Sequence, residues 1–341
     1  MAYCWYRCSK ALADDMPFED KLQICLLLCH NGNKHVANFL PADRVALLDA
    51  NQLLKLEWLM ANNVPFDVNR VFIFDADFSE DITKPEWLLS IMQQPALFIR
   101  VRKQKDAIVQ KLEENNIPYQ WHTGTCLKLP NGAAIDKLLP LDAYVVQDAS
   151  SQATGGYFDA HAGQQWWDCC SGAGGKSLLL KDKQPAVKLT VTDRRESILH
   201  NLQKRFQQYG HTPAQRLVLD VSDAHAVKHT MAGKLFDNII CDVPCTGSGT
   251  WARTPEQLYF FKQELLQELP ALQRNIAINA AQQLKTGGTL YYITCSVFSQ
   301  ENEHVVNGII EATGLQLKQM QLLNGIAGNA DCLFIALLQK V

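Results

Sequence analysis

A chain of 341 residues, 47% of them hydrophobic, can bury at least one sizeable core, and its length calls for two or three domains. The formal net charge of −3 excludes a globally cationic nucleic-acid binder, so any such binding has to come from local charge. No apolar run approaches the roughly 18 residues of a membrane span, and Met1-Ala-Tyr-Cys-Trp-Tyr-Arg-Cys8 lacks the apolar centre of a signal peptide, so a cytoplasmic protein with no membrane partner is expected.

Eleven cysteines, odd in number and unevenly spread, read as reduced thiols rather than as a disulfide framework. Cys4 with Cys8, and Cys25 with Cys29, share a Cys-x3-Cys spacing with His30 and His35 close by, which raises a zinc site. Against it, Cys25 and Cys29 stand four apart on one apolar helix face, where small thiols suit a core. No metal is expected.

Residues 1–90 read as short helices over 20–31, 41–60 and 85–92, with apolar residues at three- and four-residue spacing and no evident catalytic constellation. Charge is uneven beyond them. Asp75, Asp77, Glu80, Asp81 and Glu86 face a single lysine between 75 and 86, while Arg100, Arg102, Lys103, Lys105 and Lys111 face Asp106 alone between 100 and 111. Such runs are as a rule solvated faces, although the basic one has the composition to track phosphates. Residues 91–143 alternate a strand (96–101), an amphipathic helix (103–115) and short strands (119–122, 125–129), which makes a small α+β module. Pro140–Asp142 leads into a third domain over 144–341.

That domain alternates strands (165–169, 188–192, 216–219, 236–241, 289–294) with helices, of which 194–209 and 255–284 are clearest. The second is expected to break near Pro270, since proline removes a helix hydrogen bond. Strands over 315–320 and 332–338 close the chain as an antiparallel pair. The fold class is α/β: a doubly wound, Rossmann-like sheet of seven strands.

The first strand runs into Asp168-Cys-Cys-Ser-Gly-Ala-Gly-Gly-Lys-Ser177, a glycine turn opening a helix. A Walker loop needs glycine where Cys170 stands, and the dinucleotide fingerprint needs its third glycine where Ser177 stands. What remains is a glycine turn with Asp193 at the end of the second strand, placed for ribose hydroxyls, which suits an adenosyl cofactor without a pyrophosphate. Asp223, after the third strand, is either the edge of an adenine pocket or a helix N-cap. The fourth strand stops at Asp242 and breaks into Val243-Pro-Cys245-Thr-Gly-Ser-Gly249, and the fifth ends on Thr294-Cys295-Ser296. Two cysteines at adjacent strand ends beside a carboxylate face the crevice where open α/β sheets bind ligands.

These motifs resemble those of the Fmu/Sun-like (RsmB-like) RNA 5-methylcytosine methyltransferases. Val146-Gln-Asp-Ala-Ser-Ser-Gln152 is similar to the family's opening motif, Asp168 to Ser177 to its cofactor turn, Asp242 to Gly249 to its fourth motif, and Thr294-Cys295-Ser296 with Glu301-Asn-Glu303 to its sixth. The resemblance covers 144–341, extends loosely to Pro85–Leu88 and 97–101, and does not reach residues 1–80. It implies S-adenosylmethionine held by Asp168, Cys170, Ser171, Gly172, Gly174, Gly175, Lys176, Asp193, Asp223 and Asp242. It further implies that Cys295 attacks the base, that Cys245 assists release, and that Asp242 and Lys176 line the base pocket. The chemistry calls for such a thiol, because carbon 5 of cytosine accepts a methyl group only after a nucleophile has added to carbon 6. Three departures stand out: Ala173 where proline is usual, Arg102 where asparagine is usual in the small module, and Ala252 where an arginine commonly precedes Arg253, which matches the family. RNA is the expected partner of a monomer, ribosomal by analogy in preference to transfer RNA. A non-catalytic RNA-binding assembly factor on this fold is the alternative.

Overall fold

The computed structural model describes residues 1–30, 34–211 and 215–341; the end of the expected 20–31 helix therefore lies outside the described residues. Eleven strands are seen among them: β1 (Leu97–Val101), β2 (Gln120–Trp121), β3 (Cys126–Leu129), β4 (Tyr144–Val146), β5 (Gln165–Asp168), β6 (Lys188–Asp193), β7 (Gln215–Val218), β8 (Phe236–Asp242), β9 (Leu284–Thr294), β10 (Gln316–Leu323) and β11 (Leu333–Gln339).

Seven of them form one sheet in the order β10-β11-β9-β8-β5-β6-β7, parallel from β9 to β7 and closed by the antiparallel β11 and β10. The parallel strands are apolar on both faces because helices cover both. Trp166 and Trp167, adjacent on β5, are both fully buried, as are Ile239 and Ile240 on β8. Strand order reverses between β5 and β8, which opens a crevice at their carboxyl ends. The helix expected over 255–284 is interrupted, but not at Pro270. It stops at Tyr259 and resumes as Leu265–Ala281 with Pro270 inside. Pro270 sits early in that second helix, so it forfeits only one hydrogen bond, to the Leu266 carbonyl.

The described residues of the first ninety form a helical layer against the loops that follow β8 and β9. The helix expected over 41–60 is two pieces, Ala42–Val45 and Gln52–Ala61, because Asn51 caps the second by accepting from the Leu54 N–H at 3.0 Å. Cys4, Cys8, Cys25 and Cys29 are all buried; Cys4 Sγ lies 3.2 Å from His30 Nε2 and Cys8 Sγ lies 3.7 Å from Cys29 Sγ. Among the described residues no group of three or more histidine, cysteine or carboxylate side chains is arranged to hold a metal. Burial pushes the Cys25 and Cys29 thiols far above their ordinary pKa. Phe72, Trp87, Trp251 and Phe298 pack around one another, Phe72 stacked on Phe298 and the other pairs edge-on or tilted, and Trp87 donates its indole N–H to the Ser248 carbonyl at 3.0 Å. Residues 77–79 run along 297–299, with Ser79 N–H donating to the Val297 carbonyl and Ser299 N–H to the Asp77 carbonyl, both at 2.9 Å. No helix among the described residues is long and apolar enough to cross a membrane.

The small module is an antiparallel sheet in the order β2-β3-β1-β4, backed by Ile108 and Leu112 of the helix Lys105–Glu114. Tyr144–Val146 is its fourth strand, so the sheet runs three residues past 143. The basic run of this module is divided. Arg100 and Arg102 are turned inward onto Asp182, at 2.6 Å each, while Lys103, Lys105 and Lys111 remain outside. Burial by itself would raise the Asp182 carboxyl, but the bonds from His211 and Arg102 and the charge of Arg100 hold it far below the usual range.

Arg253 joins three segments. Its guanidinium meets Asp331 at 2.8 Å and Asp148 at 2.6 Å and donates to the Ala96 carbonyl at 3.1 Å, so it is a structural clasp. Burial and the charge of Asp148 push Asp331 up to about 7, with Arg253 pulling the other way. A folded pKa above the unfolded value of about 3.9 stabilises the fold fully below that value and loses the contribution as pH rises towards 7. The Tm of the wild type minus that of Asp331→Asn should therefore fall between about pH 4 and pH 7 and level off above. Calorimetry at several pH values checks it, and a constant difference would mean that Asp331 takes up no proton on folding.

Candidate active site

β8 ends at the crevice on Asp242. The Val243 N–H still donates to the Ile293 carbonyl at 3.1 Å, so the two loops that follow β8 and β9 begin side by side. The first loop turns at Gly247 (φ +74°) and returns at Gly249. Gly249 donates its N–H to the Cys295 carbonyl and accepts from the Cys332 N–H, both at 2.9 Å. A Cβ at Gly249 would lie 2.1 Å from the Cys332 oxygen, so no other residue fits there. The closure brings Cys245 Sγ to 3.2 Å from Cys295 Sγ, and the Cys295 N–H donates to Cys245 Sγ at 3.3 Å. The adjacent Cys295 thiol first, and burial second, push the Cys245 pKa well above its ordinary value.

A buried carboxylate fixes both loops from behind. Glu301 accepts from the Thr246 N–H at 2.8 Å, from the Thr246 and Ser296 hydroxyls, and from the Gln273 amide at 2.8 Å. Thr246 follows Cys245 and Ser296 follows Cys295, so one side chain sets the position of both thiols. Burial raises the Glu301 carboxyl and these four donors oppose the rise.

In front of the thiols, Lys176 Nζ donates to Asp242 Oδ2 at 3.2 Å and to the Ser151 hydroxyl oxygen at 3.1 Å. Lys176 comes from the first turn of the helix Gly175–Lys183, which the glycine turn starts in the left-handed region at Gly172 (φ +50°) and Gly174 (φ +80°). Gly174 also packs against the next helix, where a Cβ would meet Leu202 Cγ at 2.8 Å. Ser171 anchors the turn by donating its N–H and hydroxyl to the Thr192 carbonyl at 2.9 and 3.1 Å, with Cys170 beside it. Asp168, fully buried below the turn, accepts from the Ser177 hydroxyl at 2.6 Å through Oδ2; its Oδ1 has no partner among the described residues. Burial pushes the Asp168 carboxyl up to about 7, with Ser177 opposing and the Asp242 charge adding. Asp193 ends β6, where it accepts from the Arg195 N–H at 2.9 Å and its Nε at 3.1 Å. Asp223 is an N-cap, accepting from the N–H groups of His225 and Ala226 at 2.9 and 3.0 Å.

Asp168, Lys176, Asp242, Cys245 and Cys295 thus converge at the ends of β5, β8 and β9, with Asp193 and Asp223 beyond β6 and β7. Sequence reasoning missed Ser151, Gln273 and the bracing role of Glu301. Ser151 lies in the opening motif and Glu301 in the sixth, so both carried a signal. Gln273, mid-helix and fully buried, carried none.

The sequence family described as 16S rRNA methyltransferase RsmB/F matches residues 157–332, which is half of the chain and contains β5 to β10. The chain belongs to this family. Its members are S-adenosylmethionine-dependent methyltransferases. The chain is 27% identical over 262 residues to ribosomal RNA small subunit methyltransferase B of Pectobacterium atrosepticum, covering 69% of this chain and 59% of that one. It is 33% identical over 168 residues to the Vibrio cholerae protein of the same name, covering 49% of this chain and 38% of the relative. The chain thus spans about three-fifths or less of the length of these relatives. The fold is shared with the crystal structure of PH0851 (TM-score 0.71, 19% identity, covering 94% of this chain and 81% of that one). It is also shared with NSun6 from Pyrococcus horikoshii, solved with SFG (TM-score 0.66, 15% identity, covering 75% and 94%).

Within this family frame the Glu301 brace makes a direct prediction. Glu301→Ala strands several buried donors at about 1 to 3 kcal/mol each, so urea denaturation should show a loss of at least about 2 kcal/mol. A variant as stable as the wild type would mean that the two loops hold themselves.

Proposed function

We propose that this chain methylates carbon 5 of a cytosine in small-subunit ribosomal RNA, using S-adenosylmethionine and a covalent bond from Cys295 to carbon 6 of the base. The observation that carries this reading is the pair of thiols 3.2 Å apart beside the Lys176–Asp242 pair at the switch point of the sheet. An ordinary buried thiol explains one strand-end cysteine; it does not explain two that meet where ligands bind.

The residues divide the work. The Cys295 thiolate adds to carbon 6, and the displaced electron pair makes carbon 5 nucleophilic. Asp242, oriented by Lys176, hydrogen-bonds the cytosine edge and favours protonation of the ring during addition. Bound S-adenosylmethionine supplies the electrophilic methyl group. A base in the pocket then takes the proton from carbon 5, the bond from sulfur to carbon 6 breaks, and Cys295 leaves as a thiolate. Cys245, 3.2 Å from Cys295, stands where it can assist this release. For the cofactor, the glycine turn leaves room for close approach, and Asp193 accepts the ribose hydroxyls once Arg195 is displaced. We further propose that residues 1–90, 91–146 and 147–341 act as a helical layer, an RNA-binding module and a catalytic domain, the second boundary lying beyond 143 because Tyr144–Val146 belongs to the small sheet. Asp223 caps its helix, the second of the two roles its position allowed.

Two measurements test the reading. Asp193→Ala should weaken S-adenosylmethionine binding by about 1.5 to 3 kcal/mol in calorimetry, and unchanged affinity in the folded variant would move the ribose site elsewhere. Cys245→Ala should form the adduct, transfer the methyl group and stall, giving a slow protein–RNA band on denaturing gels with RNA and S-adenosylmethionine, whereas Cys295→Ala should give neither adduct nor product. A band from Cys295→Ala alone would reverse the two roles, and full activity in both would remove the cysteine mechanism.

A further inference from the structure

Cys170, Cys245 and Cys295 are the half-buried cysteines of the chain, and the others are buried. Among the three, closeness and access coincide at one pair. Cys245 Sγ and Cys295 Sγ lie 3.2 Å apart in the crevice that ligands of this sheet enter. Cys8 and Cys29 are nearly as close, with their sulfur atoms at 3.7 Å, but they lie buried in the helical layer, where a dissolved oxidant does not reach them.

The geometry around the first pair suits a bond between the two sulfur atoms. β8 and β9 are hydrogen-bonded neighbours with Asp242 opposite Ile293, so the loops that carry the cysteines start about 4.7–4.9 Å apart, inside the roughly 4.4–6.8 Å that a disulfide spans between Cα atoms. The Cys295 N–H donates to Cys245 Sγ at 3.3 Å and keeps that sulfur against the main chain of its neighbour. Closing the sulfur atoms to the roughly 2.05 Å of a disulfide asks for a movement of about 1 Å. Side-chain rotation supplies it without moving either strand. Glu301 fixes the residues that follow the two cysteines but bonds neither sulfur, so the brace holds the loops together and leaves the thiol torsions unlocked.

We propose that Cys245 and Cys295 are also a modification site, at which hydrogen peroxide joins them in a reversible disulfide. The Cys295 thiolate attacks one peroxide oxygen, the O–O bond breaks, hydroxide leaves, and the sulfur is oxidised to a sulfenic acid as the peroxide is reduced. The Cys245 sulfur then attacks that sulfur, the S–O bond breaks, and the leaving hydroxide takes the Cys245 proton away as water. A neighbour already at 3.2 Å outruns a second peroxide molecule, so the pair stops at the disulfide instead of passing on to the irreversible sulfinic acid. A dithiol reductant reverses the step by exchange, leaving both cysteines as thiols. The disulfide itself rests on the thiol geometry alone; its consequence, reversible arrest of methyl transfer, rests on the reading proposed above, because the linked Cys295 has no thiolate to add to carbon 6.

The test exposes the full chain to hydrogen peroxide, alkylates it under denaturing conditions and maps the digest by mass spectrometry, with methyl transfer to small-subunit rRNA assayed in parallel. The wild type should lose two of its eleven alkylatable thiols and yield one linked peptide containing Cys245 and Cys295. Methyl transfer should fall by at least about tenfold and return on treatment with dithiothreitol. In Cys245→Ala the sulfenic acid has no partner, so Cys295 should gain oxygen that dithiothreitol does not remove. Eleven thiols still alkylatable after peroxide, or a link between other cysteines such as Cys8 and Cys29, would overturn the proposal. So would a Cys295 in the wild type that over-oxidises as readily as in Cys245→Ala. A Cys245–Cys295 link in a chain that still transfers methyl groups would bear out the modification and count instead against the cysteine mechanism.

Discussion

The site depends on one buried carboxylate. Cys245 and Cys295 come from different strands fifty residues apart, and each stands at the start of an irregular loop with few hydrogen bonds of its own. Glu301 gathers donors from both loops, and from Gln273 behind them, into one fully buried arrangement. A buried carboxylate is costly when under-bonded, and four donors aimed at one group leave it little freedom to shift. The 3.2 Å between the thiols is thereby set by a side chain that touches neither. Gly249 completes the arrangement from the other side, since its backbone passes too close to Cys332 for any side chain.

Two further buried ionic clusters hold the parts of the molecule in register. Asp182 gathers Arg100, Arg102 and His211, and so ties the small sheet to the helix Gly175–Lys183; Arg253 gathers Asp148 and Asp331, and so ties the opening motif to the segment before β11. Buried pairs of this kind contribute little net stability over a hydrophobic replacement, but removing one partner leaves the other charge unpaired at a cost of about 3 to 5 kcal/mol. Their effect here is geometric. Each admits one docking of its segments.

The helical layer of residues 1–90 has a related task. It supplies no group to the crevice, yet Trp87 bonds the Ser248 carbonyl and Phe72 packs on Trp251 and Phe298, so the outer side of the Cys245 loop is sealed by aromatic side chains. The strap at 77–79 extends the same contact to the loop after Cys295, where Asn302 donates to Ser79 at 2.8 Å. Both cysteine loops are therefore held from inside by Glu301 and from outside by this layer.

Strand and helix periodicity, the glycine turn and the two strand-end cysteines determined the sheet, its crevice and the identity of the residues in it, because those signals are local. Alternation fixes which strands are parallel, and a break from an apolar run into Asp-Val-Pro-Cys marks a strand end wherever the strand lies. Partner choice among charged side chains is not local. Arg100 and Arg102 read as part of an exposed basic run, whereas tertiary packing turned both of them, and Arg253, onto buried carboxylates 78 to 105 residues away in the chain. Pro270 read as a helix break, and the break fell elsewhere because a proline near a helix start has little to disrupt. Glu301 and Gln273 became a brace only when β8, β9 and the helix Leu265–Ala281 met. A hydrogen bond between distant residues leaves no periodicity in the chain, so the sequence named the chemical groups and tertiary structure alone decided which of them face each other.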